Sequence, residues 1–142
     1  MKISVVRRQS DNINPVVLAV TSAITSARLN RCDITITCCT FKQFDESSVL
    51  VHAIPAQYLE PLKSNRHCEI DGIKVTLLNK QKIYSYLGDF TGVIVSLWPL
   101  EDTARGIISS APNAEEFIFA EWVPNSLGSI SDDYPARIIL AK

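Results

Sequence analysis

Glycine is scarce in this sequence, five residues in 142, and no candidate strand runs into GxGxxG or GxxxxGK[ST]. Without such a loop the backbone cannot approach a pyrophosphate in the way dinucleotide and P-loop sites require. Excess charge is missing as well. The formal net charge is −1, so no global field draws the chain to DNA, RNA or an anionic membrane. Nor is there a long apolar run: the best candidate, Pro15 to Ala27, is interrupted by Thr21, Ser22, Thr25 and Ser26. It falls short of the roughly 20 residues that cross a bilayer. No nucleic acid and no membrane is expected as a partner.

Metal and disulfide patterns are absent too. Cys32, Cys38, Cys39 and Cys68 form neither a CxxC pair nor a zinc spacing. Cys38 and Cys39 are adjacent in an apparent strand, so they point to opposite faces and are badly placed to bridge. Four reduced thiols are expected, with no metal and no cofactor. The opening MKISVVRR has no apolar stretch of signal-peptide length before its arginine pair. It reads as a first strand, and a cytoplasmic location is expected.

What is present is the composition of a globular protein, 46% hydrophobic and 20% charged, enough for one core within one domain over residues 1–142. After the strand 2–7, Asn14 is placed to cap a helix with Pro15 at its first position. Val17, Val20, Ile24 and Ala27 then repeat at helical spacing. Residues 33–41 alternate Ile34, Ile36 and Cys38 with Thr35, Thr37 and Cys39, as a half-buried strand does. VLVHAI, 49–54, is expected to pair back on it as a hairpin, with His52 a hydrogen-bonded structural histidine. Pro55 and Pro61 leave room for only a short turn around Tyr58 and Leu59.

The second half reads more clearly. His67 to Ile70 and Ile73 to Leu78 flank Asp71-Gly72, a hairpin signal. Asn79 precedes a short helix whose Ile83, Tyr86 and Leu87 share a face, and Gly88 is placed for a left-handed stop. Val93 to Trp98 is a run of apolar or small residues, as in a strand covered on both faces. Glu101 and Asp102 open a helix with Ala104, Ile107, Ile108 and Ala111 at i, i+3, i+4, i+7. Strands at 116–122 and 136–141 complete the chain, with a polar loop from Pro124 to Pro135 between them. Strand, helix, strand, helix, strand from Ile73 to Trp122 predicts a Rossmann-like three-layer α/β sandwich with a mostly parallel sheet and room for antiparallel strands over 41–72. An α+β arrangement is the alternative.

In such sheets ligands gather at the carboxyl ends of the strands. There, Glu121 with Glu101 or Asp102 is a candidate acid/base pair, walled by Trp98 and Trp122. Arg7, Arg8, Lys80 and Lys82, with Asn125, are candidate ligands for a small anion. The same acids also suit any helix start, and the same cations any solvated loop. A cysteine nucleophile fares worse, since Cys38 points into the core. Surplus aromatics, among them Tyr84, suit an interface. The leading expectation is a small non-catalytic binding protein of inhibitor, immunity or adaptor type, with a protein partner or self-association. The alternative is a small enzyme acting on a nucleotide-like or phosphorylated molecule at that edge.

Overall fold

The structure is a computed structural model that describes residues 2–8 and 15–141. Seven strands form one sheet: β1 (Lys2–Arg8), β2 (Ile34–Cys38), β3 (His67–Ile70), β4 (Ile73–Asn79), β5 (Val93–Leu97), β6 (Glu116–Ala120) and β7 (Ala136–Ala141). Their order is β3-β4-β2-β5-β6-β1-β7. Every neighbouring pair is parallel except β3 with β4. The strands starting at Ile73, Val93 and Glu116 therefore run the same way, although β2 is inserted between the first two.

Helices cover both faces. The first is held by α1 (Pro15–Asn30), α2 (Phe41–Glu46), α3 (Leu50–Ala53) and α4 (Ala56–Asn65), whose Val16, Phe44, Leu50 and Leu62 join Ile36, Val75 and Val95 in one apolar cluster. The second face carries α5 (Ile83–Tyr86), α6 (Glu101–Ser110) and α7 (Ile130–Asp133). There Ile83, Ile107 and Ile130 pack with Val5, Ile94 and Phe117. This is the three-layer α/β sandwich that the alternation of strands and helices predicts, and among the described residues the one antiparallel pair is β3 with β4, which starts within the middle region. No described helix is long and apolar enough to cross a membrane.

Several local expectations are corrected. Asn14 lies outside the described residues. The buried stripe of α1 is Val16, Ala19, Val20, Ala23 and Ala27, while Val17 and Ile24 stand at its margins. Three alanines in that stripe let the helix axis approach the sheet closely. β2 is buried on both faces rather than half-buried, with Thr35 and Thr37 enclosed. It ends at Cys38 because Thr40 caps α2, accepting from the Gln43 amide at 3.1 Å.

VLVHAI does not form a strand. Leu50 to Ala53 make one helical turn whose Leu50 is fully buried, and His52 is exposed. Beyond it, α4 is ten residues long and contains Pro61, because burial of Leu59 and Leu62 outweighs the amide hydrogen bond that a proline cannot make. The Asp71-Gly72 turn forms as its sequence indicates, both residues at positive φ (51° and 86°). Gly88 does not adopt a left-handed conformation; the backbone instead continues as a 3-10 turn over Leu87–Asp89. Tyr86 is exposed and leaves the shared face to Ile83 and Leu87.

Candidate functional site

The carboxyl edge is where connections diverge. β1 passes the chain to α1 on one face, and its neighbour β6 passes it to α7 on the other. In open α/β sheets, strand ends at which the connections diverge in this way are where ligands generally bind. Arg7 and Glu121 stand at these two strand ends. The Arg7 Nε donates to Glu121 Oε1 at 2.9 Å, and an Arg7 guanidinium nitrogen reaches Asn125 Oδ1 at 3.1 Å.

Glu121 is the only buried acidic residue among those described, and a buried charge must be paired and hydrogen-bonded to persist. Its Oε1 also faces the Asn125 amide at 3.3 Å, and Oε2 accepts from the Leu127 amide at 2.8 Å. The carboxylate thereby holds the loop after β6 in a tight turn. Asn125 in that turn has φ +67°. A Cβ at Gly128 would lie 2.1 Å from Asn125 Oδ1, so a larger residue there would displace the Asn125 side chain from its place beside Arg7.

Glu101 holds the other end of the same loop. Its carboxylate accepts from the Ser129 hydroxyl and from Arg105 Nε at 3.1 Å, while Arg105 also reaches the Ser129 carbonyl at 3.0 Å and pairs with Asp133. The Ser129 hydroxyl first, and Arg105 second, hold the Glu101 carboxyl below its ordinary range. Asp102 is exposed beside it on the first turn of α6. Glu121 and Glu101 are thus joined through the loop that both fasten.

Trp98 follows β5 with φ +54°, unusual for a bulky residue. Its amide donates to the Ala120 carbonyl at 3.0 Å, which carries β5–β6 pairing one residue further. The Trp98 ring is nearly buried and meets Trp122 edge-on, with centroids 5.3 Å apart. Trp122 itself is 60% exposed, and Leu100 and Val123 are exposed on the same two loops.

The candidate residues therefore divide. Arg7, Glu121 and Asn125 are in contact, as are Trp98 and Trp122, and Glu101 joins the first group through the loop. The Arg8 backbone pairs in β1, while its side chain lies outside the described residues. Lys80 is not brought to Arg7. It follows β4, four strands away from β1, or about 19 Å at ordinary strand spacing.

At that distant end a second group forms around Arg66, a residue that sequence reasoning missed. Arg66 makes a bidentate pair with Asp45 at 2.7 and 3.0 Å and lies 4.1 Å from the Phe41 ring centre, with Lys82 5.9 Å from the same ring. Arg105, Ser129 and Asp133 were missed at the near end. The i,i+4 spacing of Glu101 and Arg105 was the available signal. Cys38 is buried and its thiol is pushed up to about 12 by desolvation, which leaves it unreactive near neutrality.

Among the described residues no group of three or more His, Cys, Asp or Glu could hold a metal ion. A cleft of about 700 Å³ lies at the opposite edge, where Lys2, Glu116 and Arg137 meet Thr25 and Leu29 of α1. Comparison of the chain with protein-family models, curated proteins and solved structures finds no match.

Proposed function

We propose that this is a small cytoplasmic, non-catalytic binding protein of inhibitor, immunity or adaptor type that holds a protein partner on the carboxyl edge of its sheet. The observation that carries this reading is Trp122, 60% exposed yet packed edge-on against Trp98. Large aromatics are the side chains on which interface energy concentrates, and a ring already fixed by a neighbour loses little freedom when a partner covers it. Leu100 and Val123, exposed on the same loops, extend the apolar surface. Glu121 and Glu101, the two carboxylates nearby, are bonded to the loop that presents Trp122. Their part in this reading is to make the surface rigid.

A second reading, a small enzyme acting on a nucleotide-like or phosphorylated molecule, is favoured by the backbone of Trp98. A positive φ at such a residue costs about 1–3 kcal/mol and concentrates at functional sites. One pair of measurements separates the two. Trp122→Ala is expected to abolish co-purification of a protein partner from the source cells while leaving Tm unchanged. If instead nothing co-purifies with the parent protein and a nucleotide or sugar phosphate raises its Tm, the binding-protein reading is lost to the enzyme.

A further inference from the structure

In a layered sandwich the strand positions that face a covering helix are ordinarily apolar. At the amino edge of the sheet, beneath α1, they are not. Ile3 and Val5 of β1 belong to the cluster under α6 and Val6 to the one under α1, so alternation turns Lys2 and Ser4 toward α1. Glu116 of β6 and Arg137 of β7 share that side by the same alternation. Strand pairing sets Glu116 beside Lys2, and Arg137 beside Ser4. Facing them, α1 presents the hydroxyls of Thr21, Ser22, Thr25 and Ser26, spaced to share one side of the helix. These side chains line the cleft of about 700 Å³, a volume that suits a small molecule.

Little of this polarity is satisfied within the protein. Ser26 donates to Glu116 Oε1 at 2.6 Å, and the Asn30 side-chain amide donates to the Ser26 hydroxyl at 3.3 Å. Lys2 and Arg137 form no ion pair among the described residues. Exposed cations need none. Ser4 is different: it is only 4% exposed, it borders the cleft, and among the described residues its hydroxyl has no hydrogen-bond partner. A buried hydroxyl left so is destabilising unless the cleft's occupant supplies the partner. Departures of this kind from the local packing rule are where function is expected.

We propose that this cleft binds a small polyhydroxylated carboxylate, a sugar acid, with its carboxylate between Arg137 and Lys2 and over the Ser4 hydroxyl. The Arg137 guanidinium matches a carboxylate with two parallel donors, and Ser4 adds a third. The second Glu116 oxygen and the hydroxyls of α1, which both donate and accept, then meet the ligand's own hydroxyl groups. Charge selects the class. Lys2 and Arg137 set two positive charges against the one negative charge of Glu116, so a single negative charge balances the cleft and a phosphate dianion exceeds it. No aromatic ring lines the cleft, which leaves a nucleoside base nothing to stack on.

Calorimetric titration of the parent protein with sodium gluconate tests this, and its result is independent of any partner held at the carboxyl edge. Saturable binding is expected, with glucose, which lacks the carboxylate, and glucose 6-phosphate, which carries the larger charge, each about tenfold weaker or more. Arg137→Gln and Ser4→Ala should each weaken gluconate about tenfold or more with unchanged circular dichroism. An NMR titration of the parent protein gives a reading that needs no substitution: gluconate should shift the amides of residues 2–4, 21–26 and 136–137 and leave those of 121–127 in place. Absent or unsaturable binding overturns the proposal. So does glucose or glucose 6-phosphate binding as tightly as gluconate, either folded variant binding as the parent does, or shifts centred away from the cleft.

Discussion

Arg7 Nε and Glu121 Oε1 lie 2.9 Å apart across the seam between β1 and β6, joining residues 114 positions apart in the chain. This pair ties the first strand to the loop after the sixth. Much of what can be measured on the protein follows from it.

Glu121→Ala leaves the Arg7 guanidinium and the amides of Asn125 and Leu127 without their acceptor. Breaking a fully buried pair costs about 3–5 kcal/mol. Arg7 is 23% exposed, and water screening there brings the expected loss to about 2–4 kcal/mol, or on the order of 10 °C in Tm. Glu121→Gln keeps one acceptor oxygen and should lose less. Thermal unfolding of both variants checks the ranking. A Glu121→Ala protein as stable as the parent would remove the carboxylate's structural role.

Acid should release the other end of the loop. The Glu101 carboxyl titrates below its ordinary value of 4.5 in the folded protein, through the Ser129 hydroxyl and then Arg105. A depressed folded value means stability that is complete above 4.5 and lost as pH falls through the folded value. Urea unfolding of the parent and of Glu101→Gln across the acid range reads it. The two stability curves should converge as pH falls below 4.5, and parallel curves would rule the linkage out.

Thr35 and Ser96 lie on the α5–α6 face of adjacent central strands, fully buried, and neither hydroxyl has a hydrogen-bond partner. A buried hydroxyl without a partner costs about 1–3 kcal/mol. Thr35→Val keeps the shape and removes the hydroxyl, so it should stabilise the protein by about 1 kcal/mol, or 3–4 °C. Differential scanning calorimetry decides; a fall in Tm would mean that the Thr35 hydroxyl is satisfied.

What the sequence discloses is local. The run of apolar and small residues in β5 and the i, i+3, i+4, i+7 stripe of α6 each contain their own answer, and both elements form where the pattern indicates. Residues 41–65 do not. Val49, Val51 and Ile54 favour strand and two prolines suggest interruption, yet Phe44, Leu50, Leu59 and Leu62 are drawn into helices by burial against the sheet. Propensity is a weak prior against burial of that extent. The candidate site divides along the same line. Glu101 and Arg105 are legible because one helix turn joins them. Arg7 with Glu121, and Trp98 with Trp122, depend on strand order, which also carries Lys80 away from them.

That order bears on how the chain assembles. β1 and β2 are synthesised before the other strands of the sheet, but β5 and β6 lie between them in the finished sheet, and the neighbours of β1 are β6 and β7. The leading strand therefore has no seat until residues 116 to 141 are made. Such distant pairing is slow to nucleate and leaves apolar strand edges open during synthesis. Productive folding of this unit waits until β6 and β7 have been made and can close around the first strand.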